Sequence, residues 1–540
     1  MSRSIRWLFL ASVLIPLSAY PAPAQEHGPH GRLGTVQFEN SCAAGVQPEL
    51  QSAFAMLHSF RYGPGEQAFR AVLARDPGCV IAQWGIASIL MGNPIAGAGP
   101  SAQWAERARA ALDQARRSGG GTERERDYLT AVEAYWKDWA ARPERTRQQD
   151  RARAYEALAS KYPADDEAQI FAALYLTATQ SLADQTYSTY LRAAAVLERQ
   201  FEKHPDHPGL AHYLIHSYDA PPIAERGLGA ARRYADIAPA APHALHMPSH
   251  VFTRVGAWKE SFETNARSAA AARQDRAFEE QLHATDYQVY AALQLGRDSA
   301  ARALVEQVTG VDGGGAGLAE HTGTGLAANY ALAAIPARFA LERGDWAAAA
   351  ALPVRASPMA FAPALTRLAR GLGSARTGNP DGAAREAAAL AGIRDSLRAQ
   401  GNEYWSGEAE IARMLVAGWA ELARGNRDEA LRLVRAAADQ EDRTEKHIVT
   451  PGRLVPAREL LGDLLLELNR PVEALEAYRA SHRREPGRFR GLYGAARAAE
   501  VAGDRAGAGK YYRELLELVG EGSARPEATR ARAFLAAAGR

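Results

Sequence analysis

From Glu49 onward, apolar residues recur three and four apart in runs of helical length, divided by short breakers. ELQSAFAMLHSFRY and GEQAFRAVLARDP form the first pair of runs, split by Gly63-Pro64-Gly65. This spacing predicts amphipathic helices with one buried face. Asp76-Pro77 closes the pair, because proline cannot continue a helix without strain. CVIAQWGIASILMG and SAQWAERARAALDQARRS follow, across a glycine-proline loop at 92–100. The glycines at 119–121 open a third pair, ERDYLTAVEAYWKDWA with TRQQDRARAYEALASKYP, and a fourth runs from Asp165 to Pro205. The pattern predicts an all-α chain built from consecutive helix pairs.

One stretch departs from this plain amphipathic pattern. Residues 201–295 hold eight of the 14 histidines. His212 and His216 stand four apart in HPGLAHYLIHSYD, and His246 and His250 stand four apart in HALHMPSHVFTRVGAW. The second pair follows the first at an offset of 34 residues, the period of a two-helix repeat. Aligning the turns at Gly256 and Gly296 then maps His243 onto His283 and His246 onto Asp286. Residues three, four and seven apart share a helix face, so His243, His246 and His250 are predicted to form one stripe and His212 and His216 another.

Adjacent helices pack roughly 8–10 Å apart, close enough for imidazoles from two of them to meet over one ion. Imidazole donors suit zinc, copper, iron and nickel. The expected ligands are His212, His216, His246 and His250, then His243, His283 and Asp286, with donors enough for two metals. Asp286 is expected to ligate directly or to orient a histidine, or to act as a base, with Tyr290 or Arg254 touching substrate. The plainer reading is a polar groove whose histidines echo by repeat descent. HYLIH and HMPSH lack the glutamate of HExxH, and no GxSxG, P-loop or dinucleotide-binding motif occurs, so no reaction is marked. His204 and His207 flank a loop proline and are expected at the surface. His58, His321 and His482 are isolated and assigned nothing. His447, near Glu445, reaches the site only if its loop folds inward.

Several runs resemble tetratricopeptide repeats. EQAFRAVLARDP, RPVEALEAYRASHRREP and GDRAGAGKYYRELLEL match that family's outer helix, and WGIAS, LYGAARAAEVAGD and FALERGDWAAAA match its inner helix and turn. The resemblance implies a right-handed α-solenoid of about 11–12 units. Its inner-helix slots would face a concave groove able to hold a peptide or an envelope protein. It divides the chain into an N-terminal array at 49–309, a glycine-rich loop at 310–325, a central array at 326–437, a charged loop at 438–453 and C-terminal repeats at 454–540. Each loop is read either as a linker or as a cover folded over the groove. The layout also resembles a group of exported bacterial repeat proteins, which implies no particular activity.

The ends and the composition add a location. Arg3 and Arg6 precede an apolar run, Trp7 to Ala19, too short to be a good membrane span, and Ala22-Pro23-Ala24 reads as a cleavage site. Residues 1–24 are therefore expected to be a signal peptide, and the mature chain to be periplasmic or secreted, with no stable membrane insertion. Residues 25–48 form an arm carrying His27 and His30. The two cysteines, Cys42 and Cys79, suit one disulfide in an exported chain. Lysine plus arginine total 64 against 62 acidic residues, with no basic stripe, so a nucleic-acid partner is not expected. Two functions remain open on the sequence: a metal carrier or metalloenzyme, and a non-enzymatic interaction scaffold. A hydrolase using a histidine–carboxylate pair has less behind it, because no nucleophile is marked.

Overall fold

A computed structural model describes residues 31–310 and 325–538, except 98 and 521. The proposed signal peptide, His27, His30, His321 and all but the ends of the 310–325 loop lie outside the described residues. Among the described residues there is no strand. Helices succeed one another as antiparallel neighbours, from Gln47–His58 packed on Tyr62–Arg75 to Arg505–Val519 packed on Pro526–Ala538. The protein is an all-α solenoid of helical hairpins.

Small residues set how closely these hairpins cross. A Cβ on Gly85 would lie 2.4 Å from the ring of Phe69. Near the other end, Gly462 and Gly494 both press on Tyr478, where added Cβ atoms would come within 2.6 and 2.2 Å of its ring. An aromatic ring from one helix thus fills the gap that a glycine opens on its neighbour, which is why WGIAS and LYGAARAAEVAGD stood out. Helix starts follow the expected chemistry. Thr122 and Glu125 form a capping box after the glycines at 119–121, and Asp165, Asn379 and Asp504 cap with their side chains.

Within the arm, residues 31–48 pack against the first helices. Leu33, Val36 and Phe38 are buried, and Phe38 stacks on Phe54 with ring centroids 4.4 Å apart. Cys42 and Cys79 are joined in a disulfide, tying the arm to the start of the Val80–Ile89 helix.

The array folds back on itself, so that distant helices meet beside the histidines. The turn at Gly256 lies against Pro486 and Gly487, and Trp258 Nε1 donates to the Gly487 carbonyl at 2.7 Å. Arg488 is buried between Glu342 and Glu459, and Arg525 pairs with Asp298. The charged loop takes the covering role. Its first residues, 438–441, continue the Arg427–Glu441 helix, and residues 442–456 then run as an irregular strap across the middle of the molecule. Glu445 N donates to the Leu182 carbonyl at 2.8 Å. Arg338 donates to the carbonyls of Gly452 and Arg453 at 3.0 and 2.7 Å.

Candidate metal centre

Four segments bring six histidines together. The helices Pro208–Ser217, Pro242–His246, Pro248–Arg254 and Phe278–Gln294 supply them. Pro248 has no N–H for the Ala244 carbonyl, so helical bonding breaks at Met247 although Met247 keeps helical dihedrals. The predicted stripe of His243, His246 and His250 is divided between two sites, and the division falls between His243 and His246 within the short helix ahead of that break. His212, His216 and His243 form one triad, and His246, His250 and His283 the other. Within each triad, one nitrogen from every ring lies within 4.8 Å of the others. All six side chains are buried, between 0 and 7 % exposed. The triads adjoin, with ring centroids of His216 and His250 at 5.6 Å and of His243 and His246 at 6.0 Å.

The two triads are built alike. Each takes a pair four apart from its own repeat and the leading histidine of the next repeat. The match of His243 with His283 is thus a match of role. Asp286, the counterpart of His246, joins neither triad. Its carboxylate is buried, and its nearest cation is Arg338, at 3.8 Å.

Hydrogen bonds fix which nitrogen of several rings carries the proton. His212 Nδ1 donates to the His58 carbonyl at 2.7 Å, leaving Nε2 with a lone pair. His250 Nδ1 donates to Asp219 Oδ2 at 2.8 Å. His246 Nδ1 donates to Asn265 Oδ1 at 2.7 Å, and the Asn265 amide is oriented by its own N–H bond to the Ser261 carbonyl. Both of these acceptors lack a proton to give. The Nε2 atoms of His246 and His250 therefore present lone pairs to each other at 3.1 Å. Burial drives the His246 ring well below the usual imidazole range, with His283 and His250 beside it adding to the effect. Burial also lowers His250 to about 4 against the opposing pull of Asp219, and lowers His283 to about 3. Neutral rings with converging lone pairs are what a cation needs. Bonds of about 2.0–2.1 Å to one ion would hold two nitrogens roughly 3.3–3.5 Å apart, close to the observed separation.

The first triad is less constrained. His216 Nε2 lies 3.1 Å from His212 Nε2, and its Nδ1 is buried with no partner. A proton on His216 Nε2 satisfies that contact without an ion. His243 Nδ1 lies 3.3 Å from Glu280 Oε2, and its Nε2 has no partner.

Residues outside the histidines complete the centre, and the sequence reading missed most of them. Asp219, three residues beyond His216, receives His250 Nδ1, Arg254 Nε at 2.7 Å and, from the strap, Lys446 Nζ at 3.2 Å. Only its place in HSYD, directly after the pair, hinted at it. The Tyr287 hydroxyl donates to the Thr450 carbonyl at 3.0 Å and lies 3.3 Å from His250 Nε2. Carboxylates and amides behind metal-binding histidines orient the rings and raise their basicity.

The remaining expectations sort as follows. Arg254 is a buried clamp between Asp219 and Glu445. Tyr290 lies apart, donating to Glu485 at 3.0 Å under Arg488 and Arg338. Both side chains are buried. His207 is not at the surface: it is buried, with Nε2 2.9 Å from Glu167, whose other oxygen is 3.1 Å from His58 Nε2. His204 is half-buried against Asp166. His447 stacks on Trp405 at 5.2 Å and belongs to neither triad, so Lys446 and Thr450 are what the strap brings to the centre.

No family model matches the chain, and no curated protein matches it. Among solved structures it is similar to a human IFIT1 dimer with m7Gppp-AAAA, at 13% identity and a TM-score of 0.37, over 81% of this chain and 90% of that one. It is also similar to the APC/C hetero-tetramer Cut9-Hcn1, at 12% identity and a TM-score of 0.25, over 91% and 95% of the two chains. At these values the likenesses say nothing of what this chain binds. Among the described residues, no helix is long and apolar enough to cross a membrane.

Proposed function

We propose that this protein is an exported metal-binding repeat protein whose two histidine triads hold a pair of transition-metal ions. The observation that carries the reading is the His246–His250 contact, where two lone pairs face each other because both Nδ1 protons are committed elsewhere. Such an arrangement is costly in a buried site without a cation between the rings. All six donors are imidazoles, which favours copper, zinc, nickel or iron over magnesium or calcium. Export is supported by the basic start, the apolar run and the small-residue site in the sequence, and by a disulfide that suits an oxidising compartment.

The test is elemental analysis of untagged mature protein after reconstitution. Two ions per chain are expected, falling to one in His216→Ala and to one in His250→Ala. A chain that retains no ion after desalting overturns the reading. An interaction scaffold is the second reading, and it draws on the helical repeat array itself. A partner retained from envelope extract both after chelation and by His250→Ala would favour it.

A further inference from the structure

The two triads differ in what lies beside them. The second is closed by Tyr287 and the strap, through Thr450 and Lys446. The first adjoins a cavity of about 680 Å³ bordered by Phe60, Tyr62, Phe278, His243 and Arg276. That volume falls within the range of small-molecule sites. His243 is the triad member that borders it, and its Nε2 is buried with no hydrogen-bond partner.

Phe60 stands between the cavity and the other two rings. Its centroid lies 4.3 Å from His212, 5.4 Å from His243 and 6.3 Å from His216. Its φ is +53°, a left-handed conformation that is strained for a bulky side chain. Tyr62 stacks on it at 5.4 Å with planes 21° apart. The turn that carries Phe60 also supplies the His58 carbonyl that orients His212. One strained turn therefore both sets a ligand of the first triad and lays an aromatic face along its cavity.

We propose that this cavity is the ligand site of the ion at His212, His216 and His243, and that it takes a small phenol. The proposal rests on the metal reading above. The aromatic walls match a planar ring. An ion held by three imidazoles has a coordination position left for an oxygen donor. The lining carries Asp275, Glu279 and Glu280 beside Arg61 and Arg276, so the ligand enters as the neutral phenol rather than as a phenolate. Arg61 is taken up by Asp275 at 2.7 Å, whereas the exposed Arg276 has no ion pair among the described residues. Its guanidinium is the cation left to attract the ligand's oxygen.

The experiment titrates 4-nitrophenol into the full chain loaded with cobalt(II), following the visible bands of the ion and counting cobalt in every sample. The expected result is a saturable change in those bands. Arg276→Ala should weaken binding roughly tenfold while retaining two ions. His243→Ala should lose one ion and the spectral response with it. Two bound ions with bands unmoved by 4-nitrophenol up to its solubility limit would overturn the phenol site and leave the metal reading standing. Equal binding to the metal-free chain would overturn it as well. No cobalt uptake would overturn both, and the metal count tells the cases apart.

Discussion

His246 Nε2 and His250 Nε2 face each other at 3.1 Å, each with its Nδ1 proton given to an acceptor that has none to return. Asn265 imposes this on His246. Asn265→Ala frees the ring to carry its proton on Nε2 and donate it to His250. The metal-free contact is then satisfied, and the second ion is expected to bind about 10–100-fold more weakly. Chelator competition should show that loss at one site of two. Equal loss at both sites would place Asn265 in general stability instead.

The disulfide closes a loop of sequence separation 37. In the chain-entropy model such a closure contributes about 4 kcal/mol. Cys42→Ser with Cys79→Ser should lower the melting temperature, and reductant should lower the wild type to match. A variant that melts with the oxidised wild type would mean that the packing of Phe38 on Phe54 alone secures the arm.

Arg453 serves two carboxylates, Glu408 at 2.9 Å and Glu441 at 3.2 Å. Burial pushes the Glu441 carboxyl up to about 7, against the pull of Arg453. Between about pH 4.5 and 7 the folded chain keeps a proton that the unfolded chain has released. Stability from this group therefore falls as pH rises through that window, by about 3 kcal/mol in all. Glu441→Gln should remove this part of the slope, read as melting temperature against pH. An unchanged slope would show that Glu441 is ionised throughout.

Gly85 faces the Phe69 ring with no room for a methyl group. Gly85→Ala is expected to destabilise the protein by about 1–3 kcal/mol through overpacking. Denaturant unfolding measures it. Gly392, where an added Cβ meets nothing within 4 Å, supplies the control, and Gly392→Ala should be neutral or slightly stabilising.

The helix pairs were legible in the chain because their signals are local. Apolar spacing, Asp76-Pro77 and the glycines at 119–121 act within a few residues of themselves. Both histidine pairs were legible for the same reason, since the offset of 34 copies one inner helix onto the next. The alignment of Gly256 with Gly296 even paired His243 with His283, the two rings that play the same part.

The grouping was not legible. Face periodicity put His243, His246 and His250 on one stripe, whereas the helices packed on either side give His243 to His212 and His216 and leave His246 and His250 with His283. Asp286 had the right register but a different neighbour, Arg338, brought in by the helix Leu326–Glu342. Lys446 and Asp219 are separated by 227 residues, and only the back-folding of the array makes them partners. Sequence by itself determined which elements form and which imidazoles recur, because period and composition act along the chain. Tertiary structure decided which three rings share a centre, which proton each ring keeps and which triad is covered, because those depend on acceptors that arrive from distant helices.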